Sequence, residues 1–146
     1  MSFRKEIMSN ADKFTIVLFH EPAYGSHSWF GSGHGSNRFI RERYVSLCED
    51  FDVEMVLCGH NHWYERVFAN GIYHITTGGG GAPLLPVSPF PSDRIEGSEV
   101  NEMAYHWCVL SIDEDSVRDY VRDSVRVDVI QHETHSLLDS FEVNKR

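Results

Sequence analysis

The sequence predicts an α/β fold in which one strand–helix–strand unit is followed by antiparallel strands. Three observations predict it. Two continuous apolar runs, Phe14 to Phe19 (FTIVLF) and Val53 to Cys58 (VEMVLC), read as strands buried on both faces. Between them Phe39, Ile40, Tyr44, Leu47 and Cys48 recur at helical spacing, so the two strands are joined by a helix and run parallel. Further on, Tyr64 to Ala69 and Ile72 to Thr77 flank Asn70-Gly71, a dipeptide suited to a two-residue hairpin turn.

The remaining elements follow in order. Met1 to Asp12 mixes charged and apolar positions like the last turns of a helix. His20 to Ser36 (HEPAYGSHSWFGSGHGS) is a long loop of glycine, serine, histidine and aromatic residues, and loops of this length in compact domains are commonly functional. Ser36 or Asn37 caps the helix that ends near Asp50. Beyond the hairpin, Gly78 to Gly81 breaks the pattern, and Ala82 to Val100, with Pro83, Pro86, Pro89 and Pro91, reads as an irregular excursion. Tyr105 to Ile112, Val125 to Ile130 and Leu137 to Val143 alternate as three more strands. The stretch from Ile112 to Ser124 fits either a turn with a short helix or a strand.

The 146 residues are enough for one domain, and 41% apolar content supports a core. A net charge of −9 sets the surface against nucleic acid and anionic membranes, which attract lysine and arginine. No apolar stretch is long enough for a spanning helix. Cys48, Cys58 and Cys108 are widely spaced and odd in number, which favours buried thiols over a disulfide framework or a thiolate zinc site.

Nine histidines are the unusual feature. His20 and His60 each stand just past the carboxyl end of a predicted parallel strand, where such folds present functional groups. His62 lies two residues on, and an extended chain would point both His60 and His62 to one side. Three imidazoles converging there are a site for a transition metal, because calcium and magnesium prefer oxygen ligands.

The segments Val17-Leu18-Phe19-His20-Glu21-Pro22-Ala23-Tyr24 and Gly59-His60-Asn61-His62-Trp63-Tyr64-Glu65-Arg66 resemble the last two metal-binding blocks of the calcineurin-like metallophosphoesterases, in the form seen in purple acid phosphatases. Ile75 to Pro83 and Leu138-Asp139-Ser140-Phe141 resemble further pieces of the same half. The resemblance implies the C-terminal half of a four-layer α/β/β/α sandwich, spanning residues 1–146 as part of a single domain. It implies phosphate ester hydrolysis at two transition-metal ions, iron paired with zinc, manganese or a second iron. His20 and His60 would bind the second metal and His62 the first.

The family's other ligands come from earlier blocks rich in Gly-Asp and Gly-Asn, and neither dipeptide precedes His20. The chain is therefore expected to be a fragment supplying the histidine half of the site. The alternative is an inactive interaction module binding at most one metal. Apolar strand faces left uncovered would favour dimerisation. By resemblance the parent works outside the cytoplasm.

Lesser candidates surround this set. His34, in the loop after the first ligand, is the candidate proton donor to a leaving alkoxide, and His27 is the candidate substrate-binding residue that could fill the same role. Trp29 and Phe30 read as an apolar substrate wall or as loop anchors. Gly78 to Gly81 reads as a turn passing near the metal loops, with anion binding as the other possibility. His132 and His135 miss the metalloprotease spacing and read as a surface turn, while His74 and His106 alternate within strands and read as structural.

Overall fold

The computed structural model describes residues 2–10, 13–29, 31, 34–115 and 122–145. Helix α1 (Phe3–Met8) is capped by the Ser2 hydroxyl and leads into strand β1 (Ile16–Phe19). Asn37 caps the next helix through its side chain, which accepts from the Ile40 amide. That helix runs as α2 (Arg38–Ile40), a wider π turn (Arg41–Val45) and α3 (Ser46–Asp50). Strands β2 (Met55–Cys58), β3 (Tyr64–Ala69) and β4 (Ile72–Thr77) follow, then a 3₁₀ turn (Pro91–Asp93), β5 (Ser98–Glu102), β6 (His106–Asp115), β7 (Arg122–Gln131) and β8 (Leu137–Asn144).

These strands form two sheets. The larger has the order β1-β2-β4-β3-β5 and the smaller the order β6-β7-β8. β1 and β2 pair in parallel with Phe19 opposite Cys58, as the strand–helix–strand reading expects. β3 and β4 form the expected hairpin, with Ala69 opposite Ile72 and left-handed backbone at Asn70 and Gly71.

Because side chains alternate along a strand, β2 contributes to two cores. Val56 and Cys58 pack with Val17, Ile7, Cys48 and Ile72 under the helices. Met55 points the other way, joining Tyr64 and Ile75 against Val125, Val127, Val129 and Val143 of the small sheet. The layers are helix, sheet, sheet: three of the four that the resemblance implies. All three thiols are free, with burial pushing those of Cys48 and Cys58 up to about 12.

The structure corrects the reading of Ala82 to Val100 as irregular throughout. β5 begins inside it and pairs antiparallel with β3, with a register shift between Arg66 and Val67. Its sequence, SEVNE, carries too few apolar residues to announce a strand because it is an edge with a wet face. The ambiguous stretch after Ile112 is strand at both ends, since β6 reaches Asp115 and β7 begins at Arg122; residues 116–121 lie outside the described residues. At the opposite edge, β1 carries no charged residue, Leu18 is 72% exposed, and a groove of about 490 Å³ lies beside it, lined by Phe3, Ile7 and Phe14 among others. No described helix is long and apolar enough to cross a membrane.

His74 and His106 are buried strand residues, as expected. His106 is satisfied by the Ala104 carbonyl and the Thr77 hydroxyl. His74 packs its ring on Tyr24, 4.7 Å between centroids, and neither ring nitrogen has a hydrogen-bond partner. Burial lowers its pKa to about 4. The unfolded chain binds this proton at the ordinary histidine value, and the folded chain only near 4. Its contribution is therefore whole above about pH 6.5, is lost as pH falls toward 4, and amounts to about 3 kcal/mol. Urea unfolding across that window should show a decline shallower by this amount in His74→Leu than in the unsubstituted chain.

Candidate metal centre

The parallel pairing of β1 and β2 brings their carboxyl ends to one edge, and the Gly59 amide donates to the His20 carbonyl at 3.0 Å just beyond it. The His20 and His60 rings meet edge to face, 5.2 Å between centroids. His34 closes on them from the long loop, stacked on His60 at 4.7 Å and edge-on to His62 at 5.1 Å. Four imidazoles thus face one another across the sheet edge.

The route to this convergence differs from the extended pair read from the sequence. His60 has a left-handed backbone, φ 61°, a conformation that costs a non-glycine residue roughly 1 kcal/mol or more. The Asn61 amide reaches back to the Gly59 carbonyl at 2.7 Å, and that of Trp63 to the Asn61 carbonyl at 2.9 Å, so the segment is wound in tight turns. His60 and His62 still share a pocket because both rings meet His34.

The environment sets the state of these rings. His62 Nδ1 lies 2.9 Å from the Pro83 carbonyl, which can only accept, so Nδ1 carries a hydrogen and Nε2 is the nitrogen left to face a ligand. Burial lowers the pKa of His60, with the charge of His34 adding to the effect and Glu21 opposing it. Imidazole nitrogen suits a transition ion in kind. In number the donors fall short, since among the described residues no three His, Cys, Asp or Glu side chains form a group that could hold a metal ion.

His27 sits apart from the ring cluster, exposed, with its backbone tied to Asp93 and Ser88. Its imidazole lies against Gly35, where a β-carbon would come within 3.0 Å of Nδ1. Trp29 is 54% exposed and packs on Phe90, and Phe30 lies outside the described residues. His132 and His135 occupy an exposed turn against Trp107, as expected. Gly78 is a close-approach residue: a β-carbon there would fall 1.9 Å from the Asn61 carbonyl oxygen, so the glycine run passes directly against the histidine turn.

Sequence reasoning missed the residues that brace the site. Glu65 is fully buried, and its carboxylate accepts from the Ser26 amide and hydroxyl, the Ser98 hydroxyl and the Trp63 indole. It therefore ties the histidine loop and β5 to β3. Tyr64 and Arg66 on either side both reach Asp139 of β8, at 2.6 and 2.8 Å, joining the two sheets. Burial and the adjacent Asp139 carboxylate raise the pKa of the Tyr64 phenol, which stays a donor. The signal for both was the Tyr-Glu-Arg run: three polar residues in a strand whose neighbours are apolar.

The family model for calcineurin-like phosphoesterases matches residues 2–64. No curated protein matches the chain. Among solved structures, the chain is similar to GAP50, the anchor in the inner membrane complex of Plasmodium, with a TM-score of 0.77 and 18% identity over 98% of this chain and 41% of that one. It is also similar to purple acid phosphatase PPD1 from yellow lupin (Lupinus luteus) seeds, with a TM-score of 0.75 and 20% identity over 97% of this chain and 27% of that one. The chain thus spans less than half the length of either structure. The chain is thus similar to the calcineurin-like phosphoesterases over residues 2–64, and it shares the fold of both solved structures over nearly its whole length.

Proposed function

We propose that this chain carries the histidine half of a dinuclear metal centre that hydrolyses phosphate esters, with His20 and His60 ligating one ion and His62 the other. The observation that supports this reading most is the meeting of His20, His34, His60 and His62 at the carboxyl ends of two parallel strands. The missing carboxylates are proposed to come from polypeptide outside these 146 residues, a reading supported by the ligand shortfall among the described residues. Iron paired with zinc, manganese or a second iron is the metal set that the purple acid phosphatase type suggests.

Ions held there by His20, His60 and His62 with the missing carboxylates would supply positive charge for a phosphate and lower the pKa of a water. The chain's own residues do the rest. His62 presents Nε2 because Pro83 occupies Nδ1. To His34, facing the same pocket, falls the transfer of a proton to a departing alkoxide, and to His27, beside Gly35, substrate binding, with the same proton transfer as its other possible role. The uncharged β1 edge and its apolar groove favour association with further polypeptide, including a second copy.

The chain alone should show no turnover of an aryl phosphate with iron, zinc or manganese. Turnover by the chain alone that His60→Ala abolishes would overturn the division of ligands between this chain and another.

A further inference from the structure

Asn61 stands between the two site histidines, yet its side chain faces inward and is fully buried. Its amide oxygen accepts from the Gly35 amide at 3.2 Å, and its amide nitrogen donates to the Gly35 carbonyl at 3.5 Å. One side chain therefore grips both the N–H and the C=O of a single loop residue, the one next to His34. Room for this grip comes from Gly25, where a β-carbon would come 2.8 Å from the Asn61 amide nitrogen.

The rest of the loop is held elsewhere. Its first limb is pinned through Ser26 to Glu65, through His27 to Ser88 and Asp93, and through Trp29 to Pro86. Its neck is closed by the Asn37 amide on the Pro22 carbonyl and by the Ser36 hydroxyl on Gly25. None of these ties runs from the second limb to the turn that carries His60 and His62. The Asn61–Gly35 pair does.

We infer that Asn61 is a positioning residue for His34, its grip on Gly35 helping to hold the His34 ring over His60 and against His62. The turn that presents the two candidate ligands and the loop that presents the candidate proton donor are then one mechanical unit. A change at Asn61 displaces His34 while leaving the His20–His60 pair, which depends on the β1–β2 ladder, where it is. The catalytic meaning of this rests on the reading of His34 as proton donor; the geometry does not.

Nuclear magnetic resonance on the full 146-residue chain tests it without any metal or substrate. In Asn61→Ala, the Gly35 amide should lose about tenfold in protection from exchange, as expected for one lost hydrogen bond. The ring contacts of His34 with His60 and His62 should vanish while the His20–His60 contact persists. Asn61→Asp, which keeps the acceptor for the Gly35 amide, should restore most of that protection, and Gly25→Ala should loosen His34 with Asn61 intact. Persistence of the His34 contacts in both Asn61→Ala and Gly25→Ala would overturn the inference. So would loss of the His20–His60 contact together with them in every variant. Failure of the phosphoesterase reading would leave these outcomes unchanged.

Discussion

Replacing Glu65 by alanine is expected to cost about 4 kcal/mol of folding stability, because it strips four donors of a charged acceptor inside the protein and opens a cavity. The donors belong to Ser26, Ser98 and Trp63, so the loss releases the histidine loop, β5 and the turn at once. Glu65→Gln discriminates between charge and shape. Its amide oxygen can still accept from the Ser26 amide and the Trp63 indole, while its NH₂ faces the two serine hydroxyls. The expected cost is about 1 kcal/mol, and equilibrium urea unfolding of the two variants should separate them clearly. Equal costs would show that the carboxylate is not held as described.

The second large effect is at Asp139. Tyr64 Oη and Arg66 Nε share its Oδ2, and Arg66 donates again to Oδ1 at 3.3 Å. Arg66 also lies over the Phe141 ring at 4.6 Å and pairs with Glu99 at 2.6 Å. Asp139→Ala leaves a largely buried guanidinium and a buried phenol without their shared partner, at a cost of about 3 kcal/mol. The damage should fall on the interface between the sheets. Amide exchange in β8 and in the β3 segment around Tyr64 should quicken more than exchange in β1 and β2. Uniform acceleration would mean that the small sheet does not depend on this link.

The elements legible in the sequence were those that local pattern settles. The apolar runs before His20 and Gly59 and the Asn70-Gly71 hairpin follow from burial and backbone geometry within a few residues, and their pairing placed His20 beside His60. β5 was not legible because an edge strand with a wet face needs no apolar alternation. The bracing of the site was not legible for a different reason. Glu65 meets Ser26 across 39 residues and Asn61 meets Gly35 across 26, and a buried polar group shows its purpose only when its distant partners are in place. The left-handed turn at His60 belongs to the same class, since the extended backbone that the His-x-His spacing suggests gives way to contacts with Gly78 and the loop.

His20, His60 and His62 are proposed as the metal-facing histidines of this chain. The most direct measurement is a zinc titration of the 146-residue chain followed through the imidazole resonances of all nine histidines. Weak binding is expected, because too few protein ligands come together among the described residues. Shifts should concentrate on His20, His60 and His62, reaching His34 through its ring contacts, while His74, His106, His132 and His135 stay still. A titration that moves His132 and His135 instead, or that leaves His20, His60 and His62 unmoved at saturating zinc, would overturn this assignment.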